Sequence, residues 1–202
     1  MGLYDKFLAL QVRSADASTP DHVALAVTER DLLEQGSYET LERFLRWTDE
    51  YGATRVSIYV SVLDPAAVPT LKRQLSAVEA PRRLAVRGPE DTERADAPIQ
   101  VSIGHGGKEE FAEAVRSLAT AVDSGDLAPE EVEATTVEEE LVFAAEPDLF
   151  IKTGAERLSD FMIWQSVYSE LYFTDVNWRD FRKRDYLRAI REFQNRQRRF
   201  GR

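Results

Sequence analysis

Cysteine is absent from this chain of 202 residues. That excludes disulfides, thiolate catalysis and a cysteine-ligated zinc site. Histidine is nearly absent, with His22 and His105 the only two, too few for a histidine-built metal centre. Lysine is scarce, supplying five of the 26 cationic side chains, the rest being arginine. Acids outnumber cations and the net charge is −10, which speaks against binding the phosphate backbone of a nucleic acid. An acidic surface with few lysines fits a halophilic cytoplasm, where hydrated carboxylates keep a protein soluble. No apolar run approaches the roughly 20 residues that span a bilayer. The first residues carry no signal-peptide pattern. Gly2 lacks the downstream hydroxyl residue that myristoylation needs, because Lys6 stands there. The expected location is the cytoplasm, with at most peripheral contact at the inner face of the membrane.

What is present is an apolar share of 43%, enough over this length for one domain with a sizeable core. That domain is expected over 1–202, with a helix and linker over 1–19 and a basic helix and tail over 179–202. The last 24 residues reverse the overall charge, carrying only three acids among many arginines. Apolar runs of strand length fall at 22–27, 55–60, 83–86, 99–103, 148–151 and 171–173. Helical periodicity marks 3–12, a segment around Leu41, Phe44 and Leu45 closed by Gly52, then 69–78, 108–122 and 180–199. In the fourth of these helices Phe111, Val115, Leu118 and Val122 share one face. Strands alternating with helices indicate an α/β fold with a mostly parallel central sheet flanked by helices. In such sheets ligands sit outside the carboxyl ends of the strands. This directs attention to Thr28, Glu29 and Arg30, to Ser61 and Val62, and to residues 104–108 and 152–159.

The stretch DLFIKTGAERLSDFMIWQ over 148–165, continued by SVYSELYFTDVNW over 166–178, resembles the signature of cis-prenyltransferases of the undecaprenyl diphosphate synthase family. That pattern reads D-L-x-I-R-T-[SG]-G-E-x-R-x-S-N-F-L-x-W-Q, then Y-x-E-[LF]-x-F before a Trp. IGHGGKEEF over 103–111 resembles the family's Y-G-G-R-x-E-I turn, and DHVALAV over 21–27 resembles its first strand. The resemblance runs along nearly the whole chain and implies an undecaprenyl diphosphate synthase-like fold. The family condenses isopentenyl diphosphate onto an allylic diphosphate with magnesium, making polyprenyl diphosphates for lipid carriers of the undecaprenyl and dolichol kind. By position in the motif, Lys152, Arg157 and Ser159 would bind the diphosphate of isopentenyl diphosphate. Glu170 would contribute to the magnesium site. Arg199 and Gly201 match a C-terminal R-x-G that reaches a partner's diphosphate site in family dimers.

The departures fall mostly in the first half. Where the family reads D-G-N-x-R-W after its first strand, this chain reads TERDLL over 28–33. Thr28 stands in place of the metal-binding catalytic Asp, and Glu29 in place of a Gly that lets backbone N–H groups approach phosphate. The phosphate loop is shortened to 34–37, and VSVLDP over 60–65 replaces F-S-x-E-N-W. The segment between 64 and 99 is short for the family's tunnel helices. Asp31 and Asp64 lie near enough in sequence to substitute for the lost carboxylate. Trp164, Tyr168, Tyr172 and Phe173 suit a core or a dimer interface, Glu138–Glu140 a solvated helix face, and His22 a strand-start contact. The expected function is that of a non-catalytic subunit of a polyprenyl diphosphate synthase, paired as a heterodimer with an active cis-prenyltransferase homologue. Magnesium is expected only where such a pair forms a competent site. The alternatives are a homodimeric, active short-product cis-prenyltransferase, and a regulator that binds diphosphates or prenyl lipids.

Overall fold

The computed structural model describes residues 2–91, 96–104, 106–143, 145–154 and 162–200, with only the backbone described for 197–200. Six strands form one sheet: β1 (His22–Thr28), β2 (Arg55–Ser61), β3 (Leu84–Arg87), β4 (Ile99–Ile103), β5 (Leu149–Thr153) and β6 (Glu170–Thr174). Their order is β3-β4-β2-β1-β5-β6, and every pairing among them is parallel. The expected α/β architecture is therefore present.

The two faces of the sheet differ in chemistry because side chains alternate along each strand. Val23, Leu25 and Val27 of β1, Val56, Ile58 and Val60 of β2, and Ile99, Val101 and Ile103 of β4 join the larger core. The helices α1 (Leu3–Arg13), α3 (Ser37–Glu50), α4 (Val68–Ser76) and α7 (Lys183–Phe200) supply its other side. The opposite face is small or polar. Ala24, Ala26, Tyr59 and Phe150 form a second cluster there with Phe143 and Met162. At the centre of the larger core Phe44 meets Trp178, Phe181 and Tyr186 edge-on, with ring centroids 5.5 to 6.1 Å apart. Trp178 is fully buried and donates its indole N–H to the Ser37 carbonyl at 3.1 Å. This contact joins the start of α3 to the turn before α7.

Two short helices escaped the periodicity, α2 (Glu29–Leu33) and α6 (Ala134–Glu140). One helix is turned from its expected orientation. In α5 (Gly107–Ser124), Phe111 and Val115 are exposed, while Glu110 and Ala114 are buried beside Leu118. The buried Glu110 carboxylate accepts the backbone N–H of Phe143 at 3.0 Å, and half-exposed Phe111 stacks on Trp164 with ring centroids 5.9 Å apart. Glu138 of α6 is likewise more than a solvated face, since its carboxylate accepts the Trp164 indole N–H at 3.2 Å.

The amino ends of β1 and β5 are tied by Asp148, one of whose carboxylate oxygens accepts the backbone N–H groups of Asp21 and His22, both at 2.8 Å. The His22 ring is buried beneath this tie. Its Nδ1 lies 3.0 Å from the Glu146 carbonyl, which can only accept, so Nδ1 carries the proton. Nε2 then accepts the Ser57 hydroxyl at 2.9 Å. Burial holds the imidazole pKa below its ordinary value. The folded state thus favours neutral His22, whereas the unfolded chain takes up a proton near pH 6.5. The stability due to this neutral ring is complete above that pH and is lost as the pH falls below it. The urea midpoint of the wild-type chain is expected to drop between about pH 7 and 5, and His22→Gln is expected to flatten that drop. An identical pH slope in both proteins would contradict this assignment.

Candidate functional site

The parallel register brings the carboxyl ends of the central strands level. Thr28 pairs with Ser61, Val60 with Ile103, and Ala26 with Lys152. The residues that follow each strand therefore converge on one edge of the sheet: Glu29, Val62–Leu63, Gly104 and Gly154. Gly104 and Gly154 have φ of 70° and 75°, a left-handed turn that favours glycine and lets the chain leave the sheet at once. Of the residues singled out after these strands, Lys152, Thr28, Glu29 and Ser61 share this edge.

The mouth of β1 and β2 is occupied by the chain's own groups. Glu29 is buried, and its Oε2 accepts the backbone N–H groups of Leu63 at 2.9 Å and Asp64 at 3.1 Å. Two adjacent amides pointing at one oxygen are the arrangement that commonly receives a phosphate or carboxylate anion. Here the anion is internal. Thr28 caps α2: its hydroxyl accepts the Asp31 backbone N–H at 3.2 Å and donates to the Asp31 carboxylate at 2.7 Å. That carboxylate also accepts the Thr28 backbone N–H at 2.7 Å. This reciprocal capping box engages Asp31. Asp64 is engaged in a local cap as well, accepting the Ala66 N–H at 3.0 Å. Sequence spacing could not show these pairings, although Thr-x-x-Asp before an apolar pair is a cap signal that could have located α2.

Lys152 is almost fully buried in β5. Burial pushes its ammonium pKa down from the ordinary lysine value, and the negative charge of Asp31 works against that shift. The adjacent Thr153 hydroxyl is buried without a hydrogen-bond partner among the described residues. The pair leads into the segment carrying Arg157 and Ser159, which lie outside the described residues. So do His105, Gly201 and the side chain of Arg199.

Glu170 is not brought to this edge. It opens β6 opposite Leu149, whereas Lys152 lies opposite Phe173. The two are thus separated by about 10 Å along the strands. The Glu170 carboxylate accepts Arg196 Nη1 at 2.7 Å, and Arg196 also reaches Glu192 at 2.7 Å. Among the described residues no group of three His, Asp or Glu side chains is placed to hold a metal ion. Glu29, Asp31, Asp64 and Glu170 each have other partners. The described donors of one chain do not fit a magnesium site.

A family model of undecaprenyl diphosphate synthases matches residues 74–201. The tritrans,polycis-undecaprenyl-diphosphate synthase (geranylgeranyl-diphosphate specific) of Methanopyrus kandleri is 33% identical over 247 residues, covering 99% of this chain and 90% of that protein. The chain belongs to the undecaprenyl diphosphate synthase family. The Methanopyrus alignment runs over 247 positions against a chain of 202 residues, so that relative of the family carries residues this chain lacks. A synthase of the same description from Methanocaldococcus jannaschii is 45% identical over 108 residues, 51% of this chain and 39% of that protein. An isoprenyl transferase of Thermus thermophilus is 44% identical over 111 residues, 52% and 42% of the two chains. Against these two, the matched stretch spans about two fifths of the relative's length. Among solved structures, lavandulyl diphosphate synthase from Lavandula x intermedia, in complex with dimethylallyl diphosphate, superposes with a TM-score of 0.71. It shares 22% identity and covers 87% of this chain and 95% of its own, a likeness of fold.

If the Glu29 carboxylate holds the loop after β2, its removal destabilises the folded chain. Glu29→Ala leaves two amides without their acceptor and is expected to lower unfolding free energy by about 1.5–3 kcal/mol. Glu29→Gln, which keeps a neutral oxygen, is expected to lose less. Denaturant unfolding measures both, and an unchanged Glu29→Ala midpoint would remove the carboxylate from this role.

Proposed function

We propose that this family member is a non-catalytic subunit of a polyprenyl diphosphate synthase, paired with an active cis-prenyltransferase homologue. One observation carries the reading: the Glu29 carboxylate sits on the Leu63 and Asp64 amides, at the mouth where the family resemblance calls for an open phosphate cradle. Thr28, in the place of the catalytic Asp, is turned to capping α2. A chain that fills its own anion site with an anion has little room there for an allylic diphosphate.

The retained half then serves diphosphate binding and association. Lys152, with Arg157 and Ser159 of the same motif, is assigned to the diphosphate of isopentenyl diphosphate. Ile163, Val167, Tyr168 and Phe173 are exposed apolar side chains clustered in a short stretch, which suits a surface covered by a partner subunit. Arg199 and Gly201 are assigned to the partner's diphosphate site. Magnesium is left to the partner's carboxylates, since Glu170, the metal-donor position of the motif, is held by Arg196 away from the edge that carries Lys152. The paired synthase would act in the cytoplasm; among the described residues no helix is long and apolar enough to cross a membrane.

A second reading, an active short-product cis-prenyltransferase, rests on Asp31. Its charge acts on Lys152, so one carboxylate does stand near the retained motif at the catalytic edge. The two readings separate in one set of assays. The purified chain alone, given an allylic diphosphate, isopentenyl diphosphate and magnesium, is expected to form no longer product. Co-expressed with a homologue that keeps D-G-N-x-R-W, it is expected to co-purify and the complex to elongate. Deleting residues 199–202 is expected to leave melting temperature and complex formation unchanged. The same deletion should lower kcat or raise KM at least tenfold, about 1.4 kcal/mol. Turnover by the lone chain at ordinary enzyme rates would establish the second reading instead.

A further inference from the structure

Helix α1 is apolar on two sides, although a helix on the surface of a core needs only one. Leu8, Ala9 and Val12 are buried in the larger core, which includes Leu187, Ile190 and Phe193 of α7. Leu3, Phe7 and Leu10 face the other way. At 3.6 residues per turn they fall within a wedge of about 60° opposite the buried side. They are 88%, 53% and 66% exposed. Nothing in the packing of the chain requires three large apolar side chains in water at these positions.

The flanks of this ridge are cationic. Lys6 projects along one side, by the same helical spacing, while Arg13 beyond it lies over the Tyr51 ring, 5.7 Å from its centroid. On the other side is Tyr4, itself 49% exposed, with the Arg188 guanidinium of α7 5.5 Å from its ring centroid. Arg184, one turn earlier on α7, is also exposed. The nearby carboxylates are set back from the ridge. Asp5, the sole acid of α1, lies on the buried side and accepts the Gly2 backbone N–H at 3.2 Å. Glu50 lies 3.3 Å from Arg13, and nearly buried Asp185 lies 3.2 Å from Arg188. The chain as a whole carries −10, so a general attraction to anions is excluded. Cations gathered beside one apolar ridge complement a surface that is apolar within and anionic at its rim.

We propose that α1 docks the protein in the plane of an anionic lipid bilayer. Leu3, Phe7 and Leu10 insert below the headgroups, Tyr4 sits at headgroup level, and Lys6 and Arg188 meet lipid phosphates. A helix of 11 residues is too short to span, and one such element gives weak, reversible binding. The proposal stands independently of whether the chain is catalytic.

Flotation of the full chain with vesicles tests it. Binding is expected to phosphatidylcholine vesicles containing phosphatidylglycerol. Binding should be several-fold weaker to pure phosphatidylcholine and should weaken at high salt. Phe7→Ser with Leu10→Ser is expected to cut partitioning at least tenfold. Because both side chains face outward, the melting temperature should be unchanged. Lys6→Glu is expected to reduce binding to the anionic vesicles alone. Absence of wild-type binding, or full binding by the double variant, overturns the proposal. So does equal, salt-independent binding to both vesicle types. If the ridge instead joins two copies, light scattering will show a dimer that the double variant abolishes, without lipid binding, and the proposal is likewise wrong.

Discussion

The structure depends on β1 being enclosed on all four sides. β2 and β5 pair with its two edges, and Val23, Leu25 and Val27 enter one core while Ala24 and Ala26 enter the other. A slip of one residue would exchange these two sets and put valine and leucine side chains where alanines now pack. Register is therefore fixed at the centre of the sheet, and Asp148 fixes it again at the amino end by holding the Asp21 and His22 amides. Once register is fixed, the carboxyl ends follow. Thr28 must lie beside Ser61, and Lys152 must lie across from Ala26.

That constraint gives the sequence changes at the end of β1 their physical meaning. Glu29 is buried where α2 begins, immediately after a locked strand. Its carboxylate reaches the Leu63 and Asp64 amides, which satisfies two backbone donors and the buried charge at once. Thr28 and Asp31 satisfy the start of α2 in the same way. The edge of the sheet that other α/β folds leave open for ligands is thus closed on the β1–β2 side. On the β5 side buried Lys152 and the Thr153 hydroxyl, which has no hydrogen-bond partner among the described residues, precede in sequence the segment that carries Arg157 and Ser159.

The strands were legible because their apolar runs are continuous or strictly alternating: the 99–103 run matches β4 residue for residue. Helix orientation was less so. Phe111 and Val115 read as core by apolarity, and apolarity alone does not reveal that α5 buries Glu110 against the Phe143 amide while Phe111 stacks on Trp164. The positions of the functional edge were also legible, since a parallel sheet puts them after each strand. What could not be read was which groups bond to which. The Glu29 contact spans 34 residues of chain, and the placement of Glu170 at the amino edge depends on the β5–β6 register, which no local motif encodes.

The central claim is that Glu29 holds the amides after β2 against an external anion. It is tested most directly by titrating inorganic pyrophosphate while following the backbone amide resonances of Leu63 and Asp64. In the wild-type chain the account expects no saturable shift at either amide, and in Glu29→Gly a saturable shift at both. Saturable shifts of the same size in the wild-type chain would contradict it, because the mouth of β1 and β2 would then accept a diphosphate with Glu29 in place.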